Sequence, residues 1–190
     1  MRTIIFSLWI ALLTAPLFGQ RELLQSGPMP AYSEMTEVML WVQTTEPAEV
    51  QFAYWPKEAA AERQLSTTYQ TTADEAFTAH ISVTGLEPGV TYGYQLLIND
   101  QAVSLSYPTE FQTQALWQYR TDPPTFTVAV GSCAYVNEPK YDRPGTPYGG
   151  DYQIFQAIHA KDPDAMLWLG DNTYLREVDW YSRSGVFHRY

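Results

Sequence analysis

Glu37-Val-Met-Leu-Trp-Val-Gln-Thr44 sets Val38, Leu40 and Val42 on one side of an extended chain and Met39 and Trp41 on the other. Successive side chains of a strand point to opposite faces, so this period of two predicts a strand with one apolar face turned inward. Val50, Phe52 and Tyr54 repeat the pattern after a Glu46-Pro47 turn, and further runs follow over 77–83, 92–98 and 110–114. Residues 64–72 add one or two exposed strands. Strands every 10 to 15 residues with no helical run between them predict a small antiparallel β-sandwich of the fibronectin type III or immunoglobulin-like class over 37–114. Leu86, Pro88 and Tyr92 fit a tyrosine corner, in which the Tyr92 hydroxyl bonds back to the turn. Trp41, Phe52, Tyr54 and Tyr94 read as core and sheet-face residues.

Upstream, 20–36 reads as a lead-in broken at Gly27 and Pro30, with no strand of its own. Residues 1–19 read as a signal peptide: Arg2 is the positive n-region, 4–12 are apolar, and small residues precede a cut near Gln20. That apolar run is short for a span of roughly 20 residues, so the expectation is a secreted or periplasmic protein with no stable membrane span after cleavage. The net charge is −10, and −11 without residues 1–19, whose one charged side chain is Arg2. Such a surface repels phosphate backbones, which argues against a long nucleic-acid partner. Cys133 is the one cysteine and cannot form an intramolecular disulfide. Nothing in the sequence sets an oligomeric state.

Downstream, 115–124 reads as a linker ending in Asp122-Pro123-Pro124, and the pattern then changes. A β-rich run over 126–130 leads into Gly131-Ser132-Cys133, the stretch 152–160 carries apolar residues at 154, 155 and 158, and the apolar run 165–169 leads into Gly170-Asp171. Strand, helix and strand in that order predict the incomplete start of a parallel α/β layer over 125–190, with Cys133 and Asp171 at equivalent strand ends about 5 Å apart if the strands are neighbours. A thiolate, a carboxylate and, three residues on, the Tyr174 phenol could then flank a metal, iron rather than magnesium on donor type. Each also has a packing, capping or turn reading.

Phe126-Thr-Val-Ala-Val-Gly-Ser-Cys133 together with Pro163-Asp-Ala-Met-Leu-Trp-Leu-Gly-Asp171-Asn-Thr-Tyr174 resembles the PhoD-like alkaline phosphatase family of calcineurin-like metallophosphoesterases. The resemblance implies that Cys133 and Tyr174 bind Fe³⁺ and that Asp171 is the catalytic residue, bridging the iron to Ca²⁺ or another divalent ion. It also implies hydrolysis of a small phosphate monoester or diester by a metal-activated hydroxide. Asn172 departs from the family's frequent tyrosine and has a substrate-contact or a turn role. The family's later Asn, Asp and His ligands have no equivalent in this sequence. His80 falls in the sandwich, His159 in the helix and His188 beyond the Asp171 loop. The resemblance therefore implies the front part of a secreted phosphatase or phosphodiesterase, weakly active or inactive alone. The competing reading is a secreted β-sandwich adhesion or carbohydrate-binding module.

Overall fold

The computed structural model describes residues 22–137, 139–145, 148 and 152–189, so the proposed signal segment lies outside the described residues. The chain divides into two compact units between Leu116 and Trp117.

The first unit is an all-β sandwich of mostly antiparallel strands. One sheet has the order β1 (Leu24–Ser33), β2 (Glu37–Thr44), β6 (Thr78–Thr84). The other runs β4 (Gln64–Leu65), β3 (Glu49–Pro56), β7 (Thr91–Ile98), β8 (Gln101–Ala102), with β5 (Tyr69–Gln70) also on β3 and β9 (Glu110–Gln112) also on β7. The register carries the apolar alternation across each sheet: Leu40 pairs with Ile81 and Phe52 with Leu96. The resulting core joins Val38, Leu40 and Val42 to Val50, Phe52, Ile81, Tyr94 and Leu96. Phe52 meets the Tyr94 ring edge-on at 5.9 Å, and Tyr92 stacks on Phe111 at 5.4 Å, geometries that suit the ring quadrupoles. Phe52, Tyr54 and Tyr94 are buried as their positions in the alternation require, while Trp41 lies on the outer face, half-buried.

The lead-in is corrected by the structure. Residues 24–33 form the longest strand, at an edge of the smaller sheet, with irregular register between Leu24 and Ser26, Ser26 and Met29, and Pro30 and Tyr32. Pro28 and Pro30 lack the N–H that a central strand must donate, and an edge strand with bulges is where that loss is tolerated. The two-residue strand β8 is also new: Asn99 and Asp100 take φ of 49° and 62°, the pair of left-handed residues that closes a tight hairpin.

At the sandwich corner the Tyr92 hydroxyl accepts a 2.9 Å bond from the Glu87 N–H. Thr113 Oγ1 ties the same turn, donating to the Glu87 carbonyl at 2.6 Å and accepting from the Val90 N–H at 3.0 Å.

The second unit holds β10 (Val128–Gly131), α1 (Gln153–His159), β11 (Ala165–Trp168) and α2 (Arg183–Arg189). Strands β10 and β11 are parallel, with Val130 opposite Leu167 and Gly131 opposite Trp168. Helix α1 lies between them in sequence, and Phe155 reaches the Trp168 ring at 6.3 Å. This order is the one expected for the start of a parallel α/β layer, but no clear α/β metallophosphoesterase region is formed among the described residues. Among its described residues only the polar Asp179 is buried as a whole residue, while Val128, Val130, Leu167 and Leu169 stay exposed. Two strands and a seven-residue helix cannot bury both faces of a parallel sheet.

Truncating Phe52 to alanine is expected to cost the sandwich about 3–5 kcal/mol in urea denaturation, whereas Tyr92→Phe, which leaves the Glu87 N–H without its partner, costs about 1–3 kcal/mol.

Candidate strand-end site

The parallel register sets the carboxyl ends of β10 and β11 side by side, and the loops that leave them stay paired. Leu169 N–H donates to the Gly131 carbonyl at 2.8 Å, Cys133 N–H to Gly170 at 3.4 Å and Ala134 N–H to Asp171 at 3.1 Å. Gly131 is required at its place because the Trp168 ring lies across it: a Cβ there would stand 2.4 Å from the ring. Cys133 and Asp171 both take left-handed backbone, with φ of 61° and 49°, after which each chain turns away from the sheet. A left-handed conformation is costly for residues with a Cβ and is held only where the surroundings over-determine it.

The three residues singled out from sequence do meet. Tyr174 Oη donates to Asp171 Oδ2 at 2.7 Å, and the Cys133 thiol approaches the same oxygen at 3.7 Å. Ser132 Oγ lies 3.5 Å from Cys133 Sγ, and the Tyr174 ring leans on Tyr135 with centroids 5.7 Å apart. Cys133 and Asp171 are exposed and Tyr174 is half-buried. Asn172 lines a neighbouring cleft of about 610 Å³ with Tyr152, Phe155, Met166, Trp168 and Thr173.

The electrostatics favour a proton-sharing cluster. The Asp171 carboxylate, accepting its hydrogen bond, pushes the Tyr174 phenol well above the ordinary tyrosine range, and the neighbouring Cys133 adds to the shift. Among the described residues no group of three or more His, Cys, Asp and Glu could hold a metal ion. His80 sits on β6, His159 ends α1, and His188, on α2, lines a different cleft with Tyr141 and Gly185. No metal-binding cluster is evident among the described residues, and the reading of this chain as an iron- and calcium-loaded metal-binding hydrolase is corrected accordingly.

Sequence reasoning missed the residues that fix these loops. Arg176, Asp179 and Arg189 form an ion-pair group beneath them, and Arg189 donates to the carbonyls of Val136 and Tyr174 at 2.8 and 2.9 Å. The only signal was a mixture of arginines and aromatics over 177–190.

A family model described as a domain of unknown function, DUF7800, matches residues 21–116, the sandwich just described. The chain belongs to that family. No curated protein matches it. Among solved structures, PhoD is similar over 84% of this chain with 19% identity and a TM-score of 0.56, a partial likeness of fold to a metallophosphoesterase-superfamily enzyme. This chain spans 30% of the length of PhoD. The sensor domain of the anti-sigma factor RsgI4 from Pseudobacteroides cellulosolvens matches over 47% of this chain and 91% of its own, with 18% identity and a TM-score of 0.38.

Substituting Asp171→Asn removes the charged acceptor and is expected to lower the Tyr174 pKa toward about 10, the value of a free tyrosine. Tyrosine labelled at ¹³Cζ, with Tyr174→Phe assigning the signal, reads the change directly.

Proposed function

We propose that the DUF7800 sandwich acts as the binding module of an exported protein and takes polyhydroxylated, carbohydrate-like ligands on the outer face of its larger sheet. The observation that carries this reading is the ledge around Trp55. The indole lies across Gly93 on the neighbouring strand, where a Cβ would stand 2.8 Å from its Nε1. The exposed Arg63 guanidinium sits 5.2 Å from the ring centroid and donates to Gln95 Oε1 at 2.7 Å. Gln51 and Leu97, paired in register, continue the same face. A flat aromatic edge fenced by a guanidinium and two amides offers both contacts a sugar ring needs: apolar area for its C–H groups and hydrogen-bonding groups for its hydroxyls. The hydrophobic run in residues 4–12 supports export.

A second reading is favoured by the trio at Asp171 together with the PhoD likeness. In it the second unit contributes one edge of a site for a small phosphate ester, with Asp171 and Tyr174 touching the ligand and Asn172 at its margin. The sandwich is then an accessory module of the same chain. The PhoD likeness covers both units, which supports this wider reading of the fold.

Calorimetric titration of the chain with soluble oligosaccharides and, separately, with phosphate monoesters distinguishes the two. Oligosaccharide binding that weakens at least tenfold in Trp55→Ala and is unchanged in Asp171→Asn supports the first reading, and equal binding by Trp55→Ala overturns it. Phosphate-ester binding lost in Asp171→Asn and kept in Trp55→Ala supports the second.

A further inference from the structure

Neither strand-end loop is held by an apolar core, yet both converge on one nearly buried polar group. Asp179 is 3% exposed and is the single buried residue among those described in its unit. The Arg176 guanidinium grips its carboxylate with both edges, Nε to Oδ2 at 3.0 Å and Nη2 to Oδ1 at 3.2 Å, and the Arg176 N–H adds a third bond at 2.9 Å. These bonds hold the Asp179 carboxyl below its ordinary range, so it is charged at neutral pH. Arg189 approaches the same carboxylate from α2 at 3.7 Å.

The same Arg189 guanidinium also reaches the loops, its Nε being the atom that faces both Asp179 and Tyr174. Its Nη2 donates to the Val136 carbonyl at 2.8 Å, in the loop after β10, and its Nε to the Tyr174 carbonyl at 2.9 Å, in the loop after β11. Thr173 Oγ1 returns a bond to the Arg189 carbonyl at 3.1 Å. One planar cation thus spans two loops that lie 38 residues apart in sequence at Val136 and Tyr174. The Arg189 side chain is only 8% exposed, so the burial of its charge is compensated by Asp179 and by these carbonyls. Helix α2 reaches this seat because Gly185 packs against Asp179: a Cβ there would stand 2.6 Å from the Asp179 carbonyl oxygen and 2.7 Å from its Cα.

We propose that Arg189 is the positioning residue of the strand-end site, a clasp that holds the loop bearing Cys133 against the loop bearing Asp171 and Tyr174, with Asp179 as its buried counter-charge and Gly185 as the clearance that seats it. The proposal rests on the reading of Cys133, Asp171 and Tyr174 as a site, the second reading above, and adds the residue that assembles it. A lysine at 189 keeps the charge for Asp179 but offers a single ammonium on a flexible stem, which does not reproduce a rigid fork between two carbonyls.

The test is amide hydrogen exchange combined with the Tyr174 ¹³Cζ signal in the full chain, for wild type, Arg189→Lys and Gly185→Ala. In both variants the Ala134 amide, bonded across the loops to Asp171, is expected to exchange at least tenfold faster and the Tyr174 resonance to move. The Asp164 and Leu169 amides, which bond β11 to Thr127 and Gly131, keep their wild-type rates. Unchanged Ala134 exchange in both variants overturns the proposal. Equal acceleration at Asp164, Leu169 and Ala134 also overturns it, because Arg189 is then a general prop of the unit. If the Ala134 and Tyr174 effects appear while phosphate monoesters fail to bind the wild type, the clasp stands and the phosphate-ester reading falls.

Discussion

The inward row of β2, Val38, Leu40 and Val42, is the constraint on which the sandwich depends. A strand has no freedom to slip by one residue without turning its whole apolar set to solvent, so this row fixes the register with β6 and the face of the opposing sheet that it must meet. Phe52, Tyr94 and Leu96 supply that face, and the tyrosine corner at Tyr92 closes the end of the core where β7 begins. With the interior so specified, the outer faces can carry residues that packing does not require. Trp55, Arg63 and Gln95 use that freedom.

A second device recurs in every sheet. Trp41 covers Gly27, Trp55 covers Gly93 and Trp168 covers Gly131, with the closest ring atoms 3.2, 2.8 and 2.4 Å from where a Cβ would be. A glycine in a strand exposes backbone and has no side chain to pack, and an indole from the adjacent strand restores both the contact and the shielding of the ladder hydrogen bonds. In β10 this explains the glycine of Gly131-Ser132-Cys133 without reference to a ligand: it accommodates Trp168 and so draws the ends of β10 and β11 together. The juxtaposition of Cys133 and Asp171 depends on a packing choice two residues upstream of Cys133.

Legibility in the sequence followed the range of the interactions. Strands β2, β3, β6 and β7 were readable because a period of two is local and their inner faces are uniformly apolar. Strand β1 was not, since Gly27, Pro28 and Pro30 signal a break and only the edge position, a fact of the assembled sheet, makes them compatible with a ladder. The meeting of Cys133, Asp171 and Tyr174 was visible from two similar strand ends. Their hydrogen bonding was not, because the bond from Tyr174 depends on one carboxylate oxygen that sequence cannot orient. The role of Arg189 was not readable: its partners lie at 136, 174 and 179, and no short pattern links them.

The two units are stabilised by different physics, and this bears on where function can reside. The sandwich gains its stability from apolar area removed from water, a term that ionic screening does not weaken and that tolerates surface change. The second unit leaves Val128, Val130, Leu167 and Leu169 exposed and relies on paired charges and loop-to-loop hydrogen bonds. Such bonds are individually modest and fail together when one partner leaves, because the remaining buried charge is then uncompensated. The loops after β10 and β11 thus depend on Arg189 and Asp179 for their placement, whereas the outer face of the larger sheet is set by the register of β3 with β7.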